Sequence, residues 1–196
     1  MGTPNYFGGL SIYQDQFLGA RFELSSGATI DGVGGHMFRT GIGNLELFGA
    51  LVALTSLDDV PDSVNLSTPD VLAFTTFEPP VQSNDVIAPI GPIDVPAGYY
   101  AVVFGSGLFG ATGTGGAPDN NVPNDATALY NLKYQAGFGW DRIGNRGVRF
   151  TAYGTIPEPS AMMSMLAGGV AIVMRRRSRR RGQEIQRRAA RNRIEP

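Results

Sequence analysis

The side chains able to do chemistry are few and scattered. One histidine, His36, and no cysteine are present, so a thiolate nucleophile, a thiolate metal site and a disulfide framework are all excluded, and no second imidazole exists to pair on a metal. No serine sits in a Gly-x-Ser-x-Gly elbow. His36, between Gly35 and Met37, reads as a strand residue. Gly105-Ser106-Gly107-Leu108-Phe109-Gly110 has the spacing of a dinucleotide loop, but no strand–helix–strand pattern surrounds it and it is rejected as one. Two oxygen-rich clusters remain: Asp58, Asp59 and Asp62, and a second around Asp119, Asn120, Asn121, Asn124 and Asp125. Loops of this kind can hold Ca²⁺, with Asp119, Asn121 and Asp125 as the candidate metal ligands. Neither cluster has EF-hand spacing, and turn formation accounts for Asn and Asp equally well. Trp140, the single tryptophan, precedes Asp141 and Arg142. An indole beside hydrogen-bonding groups can stack a sugar ring, and a lone Trp in a β domain can equally be core or a loop clamp.

The elements that would position these groups read as strands. Apolar stretches of strand length alternate with Gly, Pro, Asn and Asp over residues 4–155. Strands are predicted over 17–24, where Phe22 and Leu24 alternate with Arg21 and Glu23, and over 28–33 and 36–39, separated by Gly34-Gly35. The run 45–54 is apolar throughout and suits a buried strand or a helix, with strand favoured by its neighbours. Residues 71–77 form another strand, stopped by Pro79-Pro80. The turn Pro96-Ala97-Gly98 leads into the strongest β signal, Tyr99-Tyr100-Ala101-Val102-Val103-Phe104. A long loop is expected over 105–125, then strands over 128–134 and 148–153 joined by a long hairpin connection, 137–147. Eight or nine strands predict an all-β domain over 1–155, an antiparallel β-sandwich of jelly-roll type.

Charge divides the chain. The formal net charge is −1 over 196 residues, but ten arginines and two glutamates fall within 175–196, leaving six basic against fifteen acidic side chains before them. An acidic main domain argues against nucleic acid as its partner, because phosphate binding needs clustered Lys and Arg. The basic tail follows Ile156-Pro157-Glu158-Pro159-Ser160 and the apolar run 161–174. As a helix that run is about 21 Å long at 1.5 Å per residue, against roughly 30 Å of hydrocarbon core. The block Arg175, Arg176, Arg177, Arg179, Arg180 and Arg181 can snorkel to the interface, and it orients a single short C-terminal transmembrane helix with the arginines on the cytoplasmic side and the β domain outside. An amphipathic helix fits less well, because the apolar residues are contiguous; a phosphate-binding basic tail is the third reading. The first residues, Met1-Gly2-Thr3-Pro4-Asn5-Tyr6-Phe7, lack a charged n-region and an apolar core and do not form a signal peptide, so an incomplete or misassigned start is expected in preference to a lost export signal.

This order of Pro157-Glu158-Pro159, apolar run and arginine block resembles a PEP-CTERM sorting domain, the C-terminal signal of surface proteins in many Gram-negative, exopolysaccharide-producing bacteria. The likeness covers residues 156–181. It implies that exosortase, an integral-membrane transpeptidase, recognises Pro157, Glu158 and Pro159 on the outer side and processes the protein there. Two prolines hold such a segment extended without competing backbone donors, and Glu158 offers one charge at a fixed place. Residues 182–196 form a basic cytoplasmic extension, longer than the pattern usually carries. More loosely, the 96–104 strand and the closing Gly139-Trp140 to Gly154 hairpin are similar to exported β-sandwich modules that precede such anchors. The expectation is a non-enzymatic surface or extracellular-matrix protein, in the inner membrane only in transit, without a required cofactor. Its expected partners are exosortase, inner-membrane lipid and exopolysaccharide. A lectin-like carbohydrate-binding module is the alternative, and a polysaccharide-acting enzyme the third possibility.

Overall fold

A computed structural model describes residues 9–14, 16–41, 45–119, 131–143 and 147–157. The described residues form eleven strands: β1 (Gly9–Ile12), β2 (Gln16–Leu24), β3 (Ala28–Arg39), β4 (Leu47–Leu54), β5 (Val71–Phe77), β6 (Asn84–Val95), β7 (Gly98–Gly105), β8 (Gly115–Pro118), β9 (Asn131–Gln135), β10 (Gly139–Arg142) and β11 (Phe150–Thr155). Among the described residues there is no helix, and the strand ladders are antiparallel. A six-stranded sheet runs β10-β9-β2-β7-β4-β5. The five-stranded sheet runs β1-β8-β3-β11, with β6 paired to β3 as well.

The two sheets meet over one core. Leu18 of β2, Leu51 of β4 and Val102 and Phe104 of β7 pack into the same cluster as Ile30, Val33 and Met37 of β3 and Val95 of β6. The Phe104 ring lies 4.9 Å from that of Phe150 on β11. Period-two alternation then sends the intervening residues of β4 and β7 to the other side of the six-stranded sheet. There Phe48, Ala50, Val52, Ala101 and Val103 form a second buried cluster with Phe17, Leu66 and Leu132. Phe109 covers it with an edge-on contact to Phe48, 5.2 Å between centroids, and a stack on Phe74 at 4.0 Å. Leu66 and Phe109 both hold positive φ, 49° and 54°. That conformation costs about 1–3 kcal/mol per residue, so the burial of the second core must offset it.

Burial on both faces explains why 45–54 carries no alternation: Leu47 to Val52 are buried without interruption. It is a strand, and helix was excluded by its pairing on both edges, with β5 and β7. Three expectations are corrected. Gly34-Gly35 does not separate two strands, because β3 runs through it with β6 on one edge and β11 on the other. The loop 105–125 contains β8, which pairs with β1 and β3. The connection 137–147 contains β10, which returns along β9 through a tight turn between Gln135 and Gly139. In addition, residues 84–95, with Pro89 and Pro92, form a twelve-residue strand. Proline is tolerated there because β6 pairs with β3 alone among the described residues, leaving an edge where a missing N–H breaks no ladder.

Gly105, at the end of β7, is required by packing. A Cβ there would lie 2.3 Å from Phe17 Cδ1 and 2.4 Å from Phe48 Cζ, inside the van der Waals contact of two buried rings.

Candidate functional site

The three residues considered for ligand contact lie on β10, an outer strand of the six-stranded sheet. Trp140 is half-buried, its ring 5.4 Å from Tyr134 and 6.3 Å from Phe17, and its Nε1–H donates to the Ser63 carbonyl at 3.3 Å. Arg142 donates through Nη2 to the Asp58 carbonyl at 2.8 Å, and its Nη1 lies 3.0 Å from Asp58 Oδ1. The Asp141 carboxylate accepts the Arg142 backbone N–H at 2.7 Å. Arg21, buried on β2, reaches the Asp59 carbonyl at 3.5 Å. These groups converge on the loop joining β4 to β5 and hold it against the outer face of the sheet. Trp140 and Arg142 thus act together on that loop, and the indole edge that could hydrogen-bond a sugar is occupied by Ser63.

The loop's own oxygens are committed to local donors. Asp59 accepts the Thr55 hydroxyl at 2.6 Å, the Thr55 N–H at 2.8 Å and the Val60 N–H at 2.9 Å. The Thr55 hydroxyl, then the Thr55 N–H, hold the Asp59 carboxyl below the ordinary 3.8, because both donate to the charged form. Asp70 accepts the Asp62 N–H at 3.0 Å and the Thr68 hydroxyl. Among the described residues, no three His, Asp or Glu side chains group to hold a metal ion. Asp119 accepts the Gly147 N–H at 3.0 Å; Asn121 and Asp125, the other proposed calcium ligands, lie outside the described residues.

A charged cluster with no sequence signature forms on the five-stranded sheet. His36 of β3 places Nδ1 2.8 Å from Asp85 Oδ1 on β6, and Arg149, just ahead of β11, donates to Asp85 and lies 3.1 Å from His36 Nδ1. Hydrogen bonding from His36, then from Arg149, holds the Asp85 carboxyl below its ordinary value. The three groups stand 49 and 64 residues apart in sequence, so only the pairing of β3 with β6 and β11 brings them together. One carboxylate shared by a guanidinium and an imidazole ties three segments. Both Asp85 and Arg149 are largely exposed.

The described residues also enclose an apolar cleft of about 890 Å³ between β2 and β11. Phe22, Leu24, Ile30, Val102, Phe150 and Ala152 supply much of its wall. It opens where β9 stops following β2, the last paired position being Ala20 with Asn131, and where the five-stranded sheet ends at β11. Nothing in the sequence marks it, because those six residues read as ordinary core and the charged lining residues Arg21, Glu23 and Arg149 are scattered along the chain.

After β11 the chain leaves the sheet. Ile156 is 60% exposed and Pro157 is exposed as well. Glu158, Pro159, the helix expected over 161–174 and the arginines Arg175, Arg176, Arg177, Arg179, Arg180 and Arg181 lie outside the described residues.

No protein-family model matches the chain, and neither does any curated protein. Among solved structures, it is similar to the structure of the infectious bursal disease virus Gx strain, at 12% identity and a TM-score of 0.25, over 88% of this chain and 45% of that one. It is also similar to a mutant VP2 protein of infectious bursal disease virus, from derived T=1 particles, at 15% identity and a TM-score of 0.20, over 88% and 48% of the two chains. The chain spans less than half the length of either. Scores this low carry no argument about what this chain does.

Proposed function

We propose that this chain is a non-enzymatic β-sandwich passenger of jelly-roll type, exported and delivered to the cell surface or extracellular matrix by a PEP-CTERM-type signal in its C-terminal segment. The observation that carries this reading is the three-part order that starts at Pro157: Pro-Glu-Pro, apolar run, arginine block. The fold supports it in one respect. Among the described residues the last strand ends at Thr155 and the next two residues are exposed, so recognition of Pro157 does not require unpairing β11.

In this reading the helix over 161–174 holds the chain in the inner membrane during transit, and the arginine block stays on the cytoplasmic side. Its roughly 21 Å length makes it a marginal span, suited to a temporary anchor. Exosortase recognises Pro157, Glu158 and Pro159 on the outer side and releases the β domain from the tail. The test is expression of the full reading frame behind a signal peptide in an exosortase-containing host. The expected result is loss of the tail's mass and transfer of the β domain to the surface, with the protein retained unprocessed in an exosortase deletion. If removing residues 156–196 leaves both location and processing unchanged, the proposal fails.

A further inference from the structure

We propose that the cleft between β2 and β11 is a strand-addition site: it accepts an extended segment of another polypeptide that hydrogen-bonds along the outer edge of β11 and places alternate apolar side chains in the cavity. This rests on the sandwich alone and not on the tail. The hydrogen-bonding pattern identifies the occupant as a peptide. The His36 N–H donates to the Arg149 carbonyl at 2.9 Å, which makes Arg149 and His36 a hydrogen-bonded pair of the antiparallel ladder. By strict alternation Thr151, opposite Gly34, and Tyr153, opposite Gly32, also turn their polar groups toward β3. Phe150 and Ala152 therefore turn their N–H and C=O groups away from β3. Among the described residues no strand pairs with that edge.

The same two residues point their side chains into the cleft, where both line the wall with Phe22, Leu24, Ile30 and Val102. A row of backbone donors and acceptors beside an apolar cavity is what an added strand needs: main-chain bonds give affinity, and pockets for every second side chain give specificity. A saturated lipid would fill the cavity and leave those groups unanswered. The volume, about 890 Å³, falls in the range of roughly 300–1,000 Å³ typical of ligand sites. The strand is also open to approach. Two outer strands are blunted, β6 by Pro89 and Pro92 and β10 by Asp141 and Arg142; β11, Phe-Thr-Ala-Tyr-Gly-Thr, like β1 and β5, holds neither a proline nor a charge, and of these three it is the one whose side chains line the cleft.

The experiment uses the full 196-residue chain in lipid nanodiscs and a capped probe peptide of about eight residues alternating valine and threonine, a length matched to one strand. A peptide of the same composition without alternation is the control. Expected are saturable binding of the alternating peptide and slowed hydrogen exchange at the Phe150 and Ala152 amides. Ala152→Pro deletes a donor that β3 does not use, so it leaves the fold in place and weakens binding about tenfold or more. Should that variant not fold, the exchange measurement on the wild type decides by itself. Equal binding of both peptides, unchanged exchange at Phe150 and Ala152, or full affinity in a folded Ala152→Pro overturns the proposal. Protection of those amides without peptide, rising with protein concentration, places a second copy of the chain there and also overturns it.

Discussion

Trp140 has two candidate tasks, and its removal separates a clamp from a ligand platform. Its indole rests against Tyr134 and Phe17, and its N–H holds the Ser63 carbonyl at 3.3 Å. Full truncation of a buried Phe or Trp costs about 3–5 kcal/mol. Trp140 is half-buried and on an outer strand, so Trp140→Ala is expected to cost about 2–3 kcal/mol. Trp140→Phe keeps the ring contact and loses only the hydrogen bond. That bond is long and its acceptor can turn to water, which puts the loss at about 0.5–1 kcal/mol. Arg142→Ala, at 53% exposure and in a solvated ion pair, should cost less than about 1 kcal/mol.

Urea denaturation of the three variants and the wild type supplies these numbers, and the wild type carries its own probe because Trp140 is the only tryptophan. Its emission shifts to the red as the indole leaves Phe17 and Tyr134; the variants are followed by circular dichroism. Amide exchange in the loop between β4 and β5 should quicken in Trp140→Ala, since the Ser63 contact is lost. If Trp140→Ala unfolds within about 0.5 kcal/mol of wild type with that loop's exchange unchanged, the clamp argument is wrong and the indole is free for another task.

Two further outcomes follow from the packing and the charges. Gly105→Ala forces a methyl to within 2.4 Å of two buried rings, so destabilisation of about 3 kcal/mol, at the upper end of overpacking costs, is expected in the same titration; a neutral substitution would contradict the packing of Phe17 and Phe48. Asp59 is held below 3.8 by the Thr55 donors, so its contribution is complete above the unfolded value and is lost as pH falls through the folded one. Stability should therefore decline below about pH 4, and Asp59→Asn should flatten that acid limb; an identical acid profile in the variant would show that the Thr55 hydrogen bonds carry nothing.

How far the sequence speaks depends on how many faces of a strand are buried and how many edges are paired. β2 was legible because Phe22 and Leu24 turn to the core while Arg21 and Glu23 do not, and β5 matches the predicted 71–77 residue for residue. The 99–104 run was legible as β7, but its second partner cluster was not: Ala101 and Val103 look like propensity until Phe48, Leu66 and Phe109 are seen to cover them. β6 was missed because Pro89 and Pro92 argue against a strand in any position except an edge, and edges cannot be assigned before pairing is known. β8 and β10 were missed for the opposite reason. Each is four residues long, and the Gly-rich Gly115-Gly116-Ala117-Pro118 is held by its partners more than by its own preference.

The same logic applies to the sites. The tail is readable because its chemistry is local: proline, apolar length and arginine act through adjacency in the chain. The His36–Asp85–Arg149 cluster and the β2–β11 cleft are products of register, joining residues that no spacing rule connects. Trp140 lies between these cases. Its sequence neighbours Asp141 and Arg142 suggested a sugar site, and both side chains are indeed beside it, yet what the indole meets is Ser63, 77 residues away. A polar pair next to an aromatic residue on an outer strand therefore fits two tasks equally well, binding a ligand and fastening a loop. In this chain the ring's N–H goes to the protein's own backbone, which favours fastening, and the response of that loop to Trp140→Ala separates the two.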